Sequence, residues 1–259
     1  MLLGILLVLL TAAGIGLFAA KPLWFPAAIN ATAIAYDRQF STTLLVLGII
    51  FITVQLLLAW VVLRRRSKLT RAGDVKSASI KLEVAWTAAS LLLFVSLALT
   101  GNRSWAAIPE SKPNQETIEV YAHQFAWNFR YPGPDKKFGK SSRDFVNDAQ
   151  GNSTGIDPRD PAGLDDRTTA SLRIPAGRDV LLLLHSRDVI HDFFVRELRT
   201  KQDVVPGMEI PFLIHVDRPG TYEIACAELC GLGHSQMASQ LIVLSPEDYE
   251  KWKQSKWAQ

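Results

Sequence analysis

Four side chains that bind soft metal ions lie within twelve residues of one another near the C-terminal end of the chain. Cys226 and Cys230 are followed by His234 and Met237, and His191 lies upstream. Thiolate and imidazole together select copper or zinc, and a thioether favours copper because zinc sites use cysteine, histidine and carboxylate. The segment therefore predicts a metal site in which copper is favoured over zinc.

The second cysteine argues against a mononuclear blue-copper site, which needs one cysteine, two histidines and an axial methionine. Two thiolates four residues apart can instead bridge two copper ions, each of which also takes one histidine. Met237 and the backbone carbonyl of Glu228 then serve as the two weak axial ligands. Gly231 and Gly233 suit a loop that has to wrap around a metal pair. Such a site predicts electron transfer rather than bond chemistry.

Two simpler interpretations of the cysteines stay open. A Cys226–Cys230 disulfide is expected by default outside the cytoplasm, but it leaves the two histidines and the methionine at ligand spacing unexplained. A structural zinc site is the other alternative. His123, His185 and His215 have no comparable neighbours in the sequence, and we interpret them as ordinary polar residues of strands or loops.

The metal ligands must be positioned by β-structure, because the chain beyond residue 105 consists of short apolar or alternating runs. Proline, glycine and aspartate separate these runs, a spacing that predicts a β-sandwich or Greek-key barrel. The predicted strands are residues 116–121, 127–131, 171–174, 179–185, 193–195, 210–216, 220–225 and 240–244.

Residues 132–169 interrupt this pattern with a polar stretch rich in aspartate, glycine, serine and lysine. The stretch has no strand periodicity, so we predict a long insertion between strands. Its aspartates do not follow the spacing of an EF-hand calcium loop. A solvated or partner-contacting loop is therefore favoured over a second metal site.

The front of the chain has a different character. Up to residue 101 it carries 9 lysines and arginines against 3 acidic residues, and beyond that 19 against 22. Three apolar stretches, residues 2–20, 44–63 and roughly 84–100, are each near the length of about 20 residues that crosses a bilayer. The first can be a signal peptide or a retained helix. We predict an N-terminal helix at 1–20, a transmembrane hairpin at 41–101 and a soluble domain at 102–259.

Basic residues at 64–71 follow the second apolar stretch directly and are typical of a cytoplasmic loop. A nucleic-acid patch is the weaker interpretation of this run. With the loop inside, both ends of the hairpin and the soluble domain lie outside, which is the periplasm in a bacterium. We thus predict a multi-pass plasma-membrane protein in contact with lipid.

The metal-binding segment matches the complete pattern Cys-x-Glu-x-Cys-Gly-x-x-His-x-x-Met, and the chain resembles subunit II of the haem-copper oxidases. The resemblance covers nearly the whole chain except the first helix and the 132–169 insertion. It implies a cupredoxin-like Greek-key domain after the membrane hairpin, with a dinuclear copper centre. It also implies electron transfer from cytochrome c to subunit I, which reduces dioxygen and translocates protons. The ligands implied are His191, Cys226, the Glu228 carbonyl, Cys230, His234 and Met237.

The same resemblance assigns further roles. The Glu228 side chain would reach a magnesium ion shared with subunit I. Lys201 and Asp203 match the family's Lys-x-Asp-x-x-Pro-Gly motif near the contact with subunit I. Glu83 matches an acid at the mouth of a proton channel, although an acidic residue at a helix start is also favoured by the helix dipole alone.

The aromatic motif departs from the family. Where the family has Gln-Trp-x-Trp, this chain has Phe125 before Trp127, and both are candidates for receiving electrons. Arg196 replaces a usual proline, and the 132–169 insertion is unusual. These differences point to a donor other than soluble cytochrome c, such as a haem c domain in a supercomplex with the other oxidase subunits. The chain has no Cys-x-x-Cys-His sequence, so it carries no c-type haem itself.

Three rival functions are distinguishable. Nitrous oxide reductase has a similar copper domain, but it is soluble and carries a large second domain. Subunit II of quinol oxidases lacks the two cysteines, which are present here. A copper chaperone or blue-copper carrier would not need Glu83 or three membrane segments.

Overall fold

The computed structural model describes residues 2–20, 25–64, 79–106 and 115–257. The chain forms two compact units, one of helices and one of strands. Residues Met1–Pro26 and Ile34–Ile108 belong to the helical unit. The other unit combines Ala27–Ala33 with Pro109–Gln259, and we call its described residues 115–257 the β-domain.

The described part of the helical unit contains α1 (Leu2–Ala19), α2 (Ala31–Arg64) and α3 (Ile80–Ala106). Both α2 and α3 are long and apolar enough to cross a membrane, whereas the apolar helix within α1 is shorter. The 34 residues of α2 extend about 51 Å at 1.5 Å per residue, well beyond a hydrocarbon core of about 30 Å. Helices that can span a membrane therefore precede the β-domain, as predicted.

The start of α2 lies ten residues before the predicted hairpin. Asn30 caps this helix, because its side-chain oxygen accepts a hydrogen bond of 2.7 Å from the backbone N–H of Ala33. The candidate membrane-spanning helix therefore includes residues 31–40, which the predicted hairpin left out. Of the predicted basic loop at 64–71, Arg64 ends α2 and the remainder lies outside the described residues.

The segment before α2 is part of the strand-containing unit. The backbone N–H of Asp217 donates to the Ile29 carbonyl at 3.0 Å, and the Asn30 side chain donates to the His215 carbonyl at 2.8 Å. Ile29 is buried in the same hydrophobic core as the strands. Ile29 and Asn30 are thus held within the strand-containing unit.

Two five-stranded sheets form the β-domain. The strand order is β3-β2-β1-β5-β8 in one sheet and β4-β10-β9-β6-β7 in the other. All pairings are antiparallel except β1 with β5 and β4 with β10, which are parallel. The first sheet contains β1 (Glu116–His123), β2 (Ala126–Tyr131), β3 (Arg167–Thr169), β5 (Asp179–Ser186) and β8 (Ile210–His215). The second contains β4 (Leu172–Pro175), β6 (His191–Val195), β7 (Thr200–Val204), β9 (Gly220–Cys226) and β10 (Ala238–Leu244).

Alternating burial explains how these strands share one core. Val180, Leu182 and Leu184 of β5 are fully buried while their neighbours are partly exposed, as expected for a strand with one face inward. Trp127 of the first sheet packs edge to face on Phe193 of the second, with ring centroids 5.7 Å apart. The predicted all-β, cupredoxin-like domain after the helices is confirmed.

Three elements of the β-domain were not predicted: β3, β7 and the C-terminal helix α4 (Pro246–Trp257). Strand β3 occupies the last residues of the predicted insertion. The remainder of the insertion is ordered by three short 3-10 helices, each capped at its start by a side-chain oxygen. These are Arg143–Phe145, Asp148–Gln150 and Pro161–Gly163.

Candidate metal centre

The predicted metal ligands lie where three neighbouring strands end. His191 is the first residue of β6, Cys226 is the last of β9, and Met237 immediately precedes β10. The loop between Cys226 and Met237 is closed at its base, because the Cys226 N–H donates to the Met237 carbonyl at 3.2 Å. The paired strands thus fix both ends of the loop that contains Cys230 and His234.

The structure brings all six predicted ligands together. The sulfur atoms of Cys226 and Cys230 are 3.8 Å apart. Each sulfur faces one imidazole, with 3.9 Å from Cys226 to His191 Nδ1 and 3.6 Å from Cys230 to His234 Nδ1. The Met237 sulfur lies 3.8 Å from the Cys230 sulfur, and the Glu228 carbonyl oxygen lies 3.2 Å from the Cys226 sulfur.

These separations fit a shared metal site. Metal–sulfur bonds of about 2.3 Å and metal–nitrogen bonds of about 2.0 Å, at a tetrahedral angle, place sulfur and nitrogen about 3.5 Å apart. Both cysteines are free, and their sulfur separation far exceeds a disulfide bond of about 2.05 Å. The thioether beside Cys230 makes the donor set suit copper better than zinc.

Burial shapes the chemistry of the thiols. His191, Cys226, Cys230 and Met237 are all buried, so water has little access to the sulfur atoms. Burial and the neighbouring Cys226 thiol raise the pKa of Cys230 to about 11. The thiol of Cys230 therefore keeps its proton at neutral pH until a metal ion displaces it.

Two residues outside the predicted ligand set hold the ligands in place. Asp188 contacts Nε2 of His191 at 2.8 Å, on the opposite side of the ring from Cys226. Burial alone would raise the pKa of Asp188, but hydrogen bonds from the Gln124 N–H and from His191 keep it below its usual value. The Gln124 side chain donates to the Cys230 carbonyl. An acid three residues before a ligand histidine is the only sequence signal that pointed to Asp188.

Phe125 and Trp127 occupy different positions relative to the ligands. The Phe125 side chain is 39% exposed and its ring lies against Gly231 and Gly233 of the ligand loop. Trp127 is only 2% exposed, and its ring meets the His191 imidazole with centroids 6.2 Å apart. Phe125 is therefore accessible from the surface, while Trp127 packs against His191 from inside the domain.

The predicted subunit-contact residues lie on the edge strand β7. The Lys201 ammonium group donates to the buried Asp192 carboxylate at 2.7 Å. Asp203 is the partner of Asp192 in the β6–β7 register. Burial raises the pKa of Asp192, although the bond from Lys201 opposes that rise. The Glu228 side chain is exposed, so its carboxylate is available to a partner.

Glu83 lies in the first turn of α3, within the helical unit. Its backbone N–H donates to the Ser79 carbonyl at 3.1 Å, as expected at the start of a helix. The side chain is half-buried. The structure thus places Glu83 at a helix start, and its role at a channel mouth stays a prediction.

The three remaining histidines are held by other partners. His123 contacts the Asn128 amide at 3.0 Å, and His185 stacks on Tyr121 with centroids 4.9 Å apart. His215 lies between two carboxylates, at 2.7 and 3.1 Å. Among the described residues, these histidines take no part in the sulfur cluster.

The chain is similar to several known proteins. Residues 116–244 match the family model described as cytochrome c oxidase subunit II, periplasmic domain. An alternative cytochrome c oxidase subunit 2 of Bradyrhizobium diazoefficiens is 35% identical over 231 residues, which cover 88% of this chain and 82% of that protein.

More distant matches are also found. Cytochrome c oxidase subunit 2 of Alkalihalophilus pseudofirmus is 33% identical over 177 residues, covering 66% of this chain but only 43% of that protein. The crystal structure of the periplasmic domain of subunit II of cytochrome oxidase of Bradyrhizobium japonicum is 22% identical. That match covers 57% of this chain and 96% of the solved one, with a TM-score of 0.41. On the length and identity of the Bradyrhizobium diazoefficiens match, the chain belongs to the cytochrome c oxidase subunit II family.

Proposed function

We propose that this chain is the electron-accepting subunit of a respiratory terminal oxidase in a bacterial plasma membrane. Its dinuclear copper centre takes electrons from cytochrome c or a membrane-attached haem protein. It passes them to subunit I, which reduces dioxygen to water and translocates protons. The ligands of the two copper ions are His191, Cys226, the Glu228 carbonyl, Cys230, His234 and Met237.

One observation carries this proposal: the two thiols are 3.8 Å apart and each has an imidazole nitrogen of its own within 3.9 Å. A mononuclear blue-copper site uses only one cysteine, so it does not account for the second sulfur–nitrogen pair, and the Met237 thioether argues against zinc. Two copper ions held by these side chains would supply a reversible one-electron acceptor. The Met237 sulfur lies beside the Cys230 sulfur, and the Glu228 carbonyl oxygen lies beside the Cys226 sulfur. Each half of the site therefore has one weak ligand.

The protein contributes rigidity and exclusion of water. The strands β6, β9 and β10 fix the ligands at their ends, so their arrangement can stay the same in both oxidation states. The buried thiols and the imidazole of His191 are shielded from solvent. A rigid, dry site suits electron transfer, since little reorganisation accompanies the change of charge.

Exposed apolar side chains mark the surface at which partners bind. Of the seven large hydrophobic residues that are exposed among the described side chains of the β-domain, five lie in the three loops around the metal ligands. Apolar side chains concentrated on a surface indicate a protein interface. The five are Phe125, Val189, Ile190, Leu229 and Leu232.

We assign Phe125 as the residue nearest the donor, because it is exposed and lies on the ligand loop. Lys201 and Asp203 would face subunit I, where Glu228 would help to bind magnesium. Glu83 would lie near the proton channel of that subunit. In this arrangement α2 and α3 anchor the chain in the lipid bilayer and hold the β-domain in the periplasm.

The direct test uses the full chain, purified in detergent and loaded with copper. We expect two coppers per chain and a multiline electron paramagnetic resonance signal from one electron shared over both nuclei. His234→Gln should abolish this signal. His215→Gln is the matched control and should keep it, since two carboxylates hold His215 away from the site.

A second measurement addresses electron transfer. Reduced cytochrome c, mixed rapidly with the oxidised copper-loaded chain, should bleach the visible absorption of the copper pair. A native chain that binds one copper with a four-line signal, or that binds none and forms a Cys226–Cys230 disulfide, would disprove the proposed function.

A further inference from the structure

Asp188 connects a metal ligand to the surface loop that carries Phe125. One carboxylate oxygen contacts Nε2 of His191 at 2.8 Å and accepts the Val189 N–H at 2.7 Å. The other oxygen accepts the backbone N–H of Gln124, also at 2.7 Å. A single side chain thus joins the turn before β6 to the turn between β1 and β2.

Gln124 extends the connection to the second cysteine. Its side-chain amide donates to the carbonyl of Cys230. The contacts therefore run from His191 through Asp188 and Gln124 to the ligand loop, which contacts His191 again through Cys226. This closed ring of contacts passes the backbone immediately before Phe125.

We propose that Asp188 is a positioning residue, which holds the His191 imidazole and the Gln124–Phe125 turn in one fixed arrangement. This inference rests on the proposed function, because it concerns the same copper centre. Beyond that function, we infer that Asp188 determines two things. It sets the electronic properties of the His191 ligand, and it sets the distance between the donor and the copper centre.

The tautomer of His191 follows from the contacts on its two ring nitrogens. Nδ1 faces the Cys226 sulfur, so it must keep a lone pair for the metal. Nε2 then carries the proton and donates it to Asp188. A carboxylate in this position orients the ring and makes the ligand more basic, which stabilises the oxidised metal and lowers its reduction potential.

The test compares Asp188→Asn with the native full chain, copper-loaded in detergent. The amide has the same size but no charge, so we expect two coppers per chain and an altered hyperfine pattern. Loss of the hydrogen-bond partner of a ligand histidine typically lowers metal affinity or activity about tenfold or more. We therefore expect the reduction equilibrium to shift about tenfold towards the reduced form, which is about 59 mV for one electron. Reduction by cytochrome c should slow severalfold at matched driving force.

Asp148→Asn is the matched control. It removes one negative charge from the neighbouring insertion, where Asp148 pairs with Arg187 at 3.0 Å. It touches none of the contacts in the ring. We expect its potential, hyperfine pattern and reduction rate to equal those of the native chain, so a general electrostatic effect is separated from a positioning effect.

Asp188→Glu keeps the carboxylate and should restore the native potential at least in part. Copper loss in Asp188→Asn with retention in Asp188→Glu would support the proposal as well. Equal copper loss in both variants, or an Asp188→Asn chain that matches Asp148→Asn in potential and rate, would overturn it. A native chain without the multiline signal would instead defeat the proposed function, so the two failures are distinct.

Discussion

The ring of Phe125 lies so close to Gly233 that a methyl group added to this glycine would come within 2.5 Å of the ring. The φ angle of Gly233 is −91°, which any residue adopts, so the backbone does not require glycine here. The requirement comes from the ring. Phe125 thus packs directly on the loop that holds Cys230 and His234.

We expect Gly233→Ala to displace the Phe125 ring and to destabilise the copper-loaded chain by about 1–3 kcal/mol, the usual cost of overpacking. Phe125→Ala should remove most of that cost, because the added methyl group then has space. A double-mutant cycle in urea denaturation, followed by the copper absorption, measures this coupling.

Gly151→Ala is the control for the cycle. Its φ angle is +76° and no atom lies within 4 Å of an added methyl group, so it should cost about 1 kcal/mol from backbone strain alone. That cost should not depend on Phe125. Additive effects of Gly233→Ala and Phe125→Ala would show that the contact has no energetic role.

The ligand set was accessible from sequence because five of its six members lie in one loop between two paired strands. The loop ends are adjacent wherever β9 and β10 pair, so spacing alone brought Cys226 and Met237 together. The roles of Asp188 and Gln124 depend on how two turns meet in space. Neither turn has a periodicity that reveals this.

The missed elements have physical reasons as well. Strand β7 is an edge strand that pairs only with β6, and its sequence Thr-Lys-Gln-Asp-Val lacks an apolar alternation. Helix α4 is mostly polar and is held by a few aromatic contacts, chiefly Tyr249, which is buried, and Trp252, which packs on Tyr131. Tertiary packing rather than local pattern determines both.

Leu232 is fully exposed at the tip of the ligand loop, between the two glycines that contact Phe125. We expect Leu232→Ser to slow reduction by cytochrome c about tenfold, because loss of an apolar contact of about 1.4 kcal/mol changes affinity by that factor. The resonance signal should be unchanged. Leu164→Ser, which alters an exposed leucine of the insertion, should leave the rate intact.

Salt dependence distinguishes an apolar from an electrostatic contact. The exposed side chains of this surface named above are apolar, and the nearby Arg187 is paired with Asp148. We therefore expect the rate of reduction by the natural donor to change little as salt is raised, whereas charge-steered association falls steeply. A rate that falls steeply with salt and is insensitive to Leu232→Ser would contradict an apolar docking surface.

Tyr121 gives the β-domain a predictable response to alkali. Its hydroxyl donates to Glu119 at 3.0 Å, and burial together with the Glu119 charge raises the pKa of Tyr121 to about 12. The unfolded value is about 10. The contribution of Tyr121 to the free energy of unfolding is therefore complete below about pH 10. It is lost as the pH rises through about 12, at up to about 1.4 kcal/mol per pH unit.

Burial also raises the pKa values of Tyr131 and Tyr249, so the native chain loses stability in alkali through several groups. The informative quantity is the difference between the native chain and Tyr121→Phe. We expect the free energy of unfolding to fall less steeply between pH 10 and 12 in Tyr121→Phe. Parallel curves for the two proteins would show that Tyr121 titrates alike in the folded and unfolded states.

The insertion is fastened to the first sheet by a buried ion cluster. The Arg130 guanidinium is fully buried and donates to Asp166, to Glu119 at 2.9 Å and to the Gly139 carbonyl at 2.6 Å. Asp166 also accepts the Gly139 N–H at 3.0 Å. The start and the end of the insertion are thus joined through one carboxylate.

Asp166→Asn should cost about 3–5 kcal/mol, because it leaves the buried Arg130 charge with one carboxylate instead of two. Asp157→Asn is the control, since Asp157 pairs with the exposed Arg159 and its loss should change the free energy of unfolding far less. Chemical denaturation of the full chain measures both. Hydrogen exchange should show added opening of residues 139–166 only in Asp166→Asn, and equal stabilities of the two variants would mean that the cluster does not anchor the insertion.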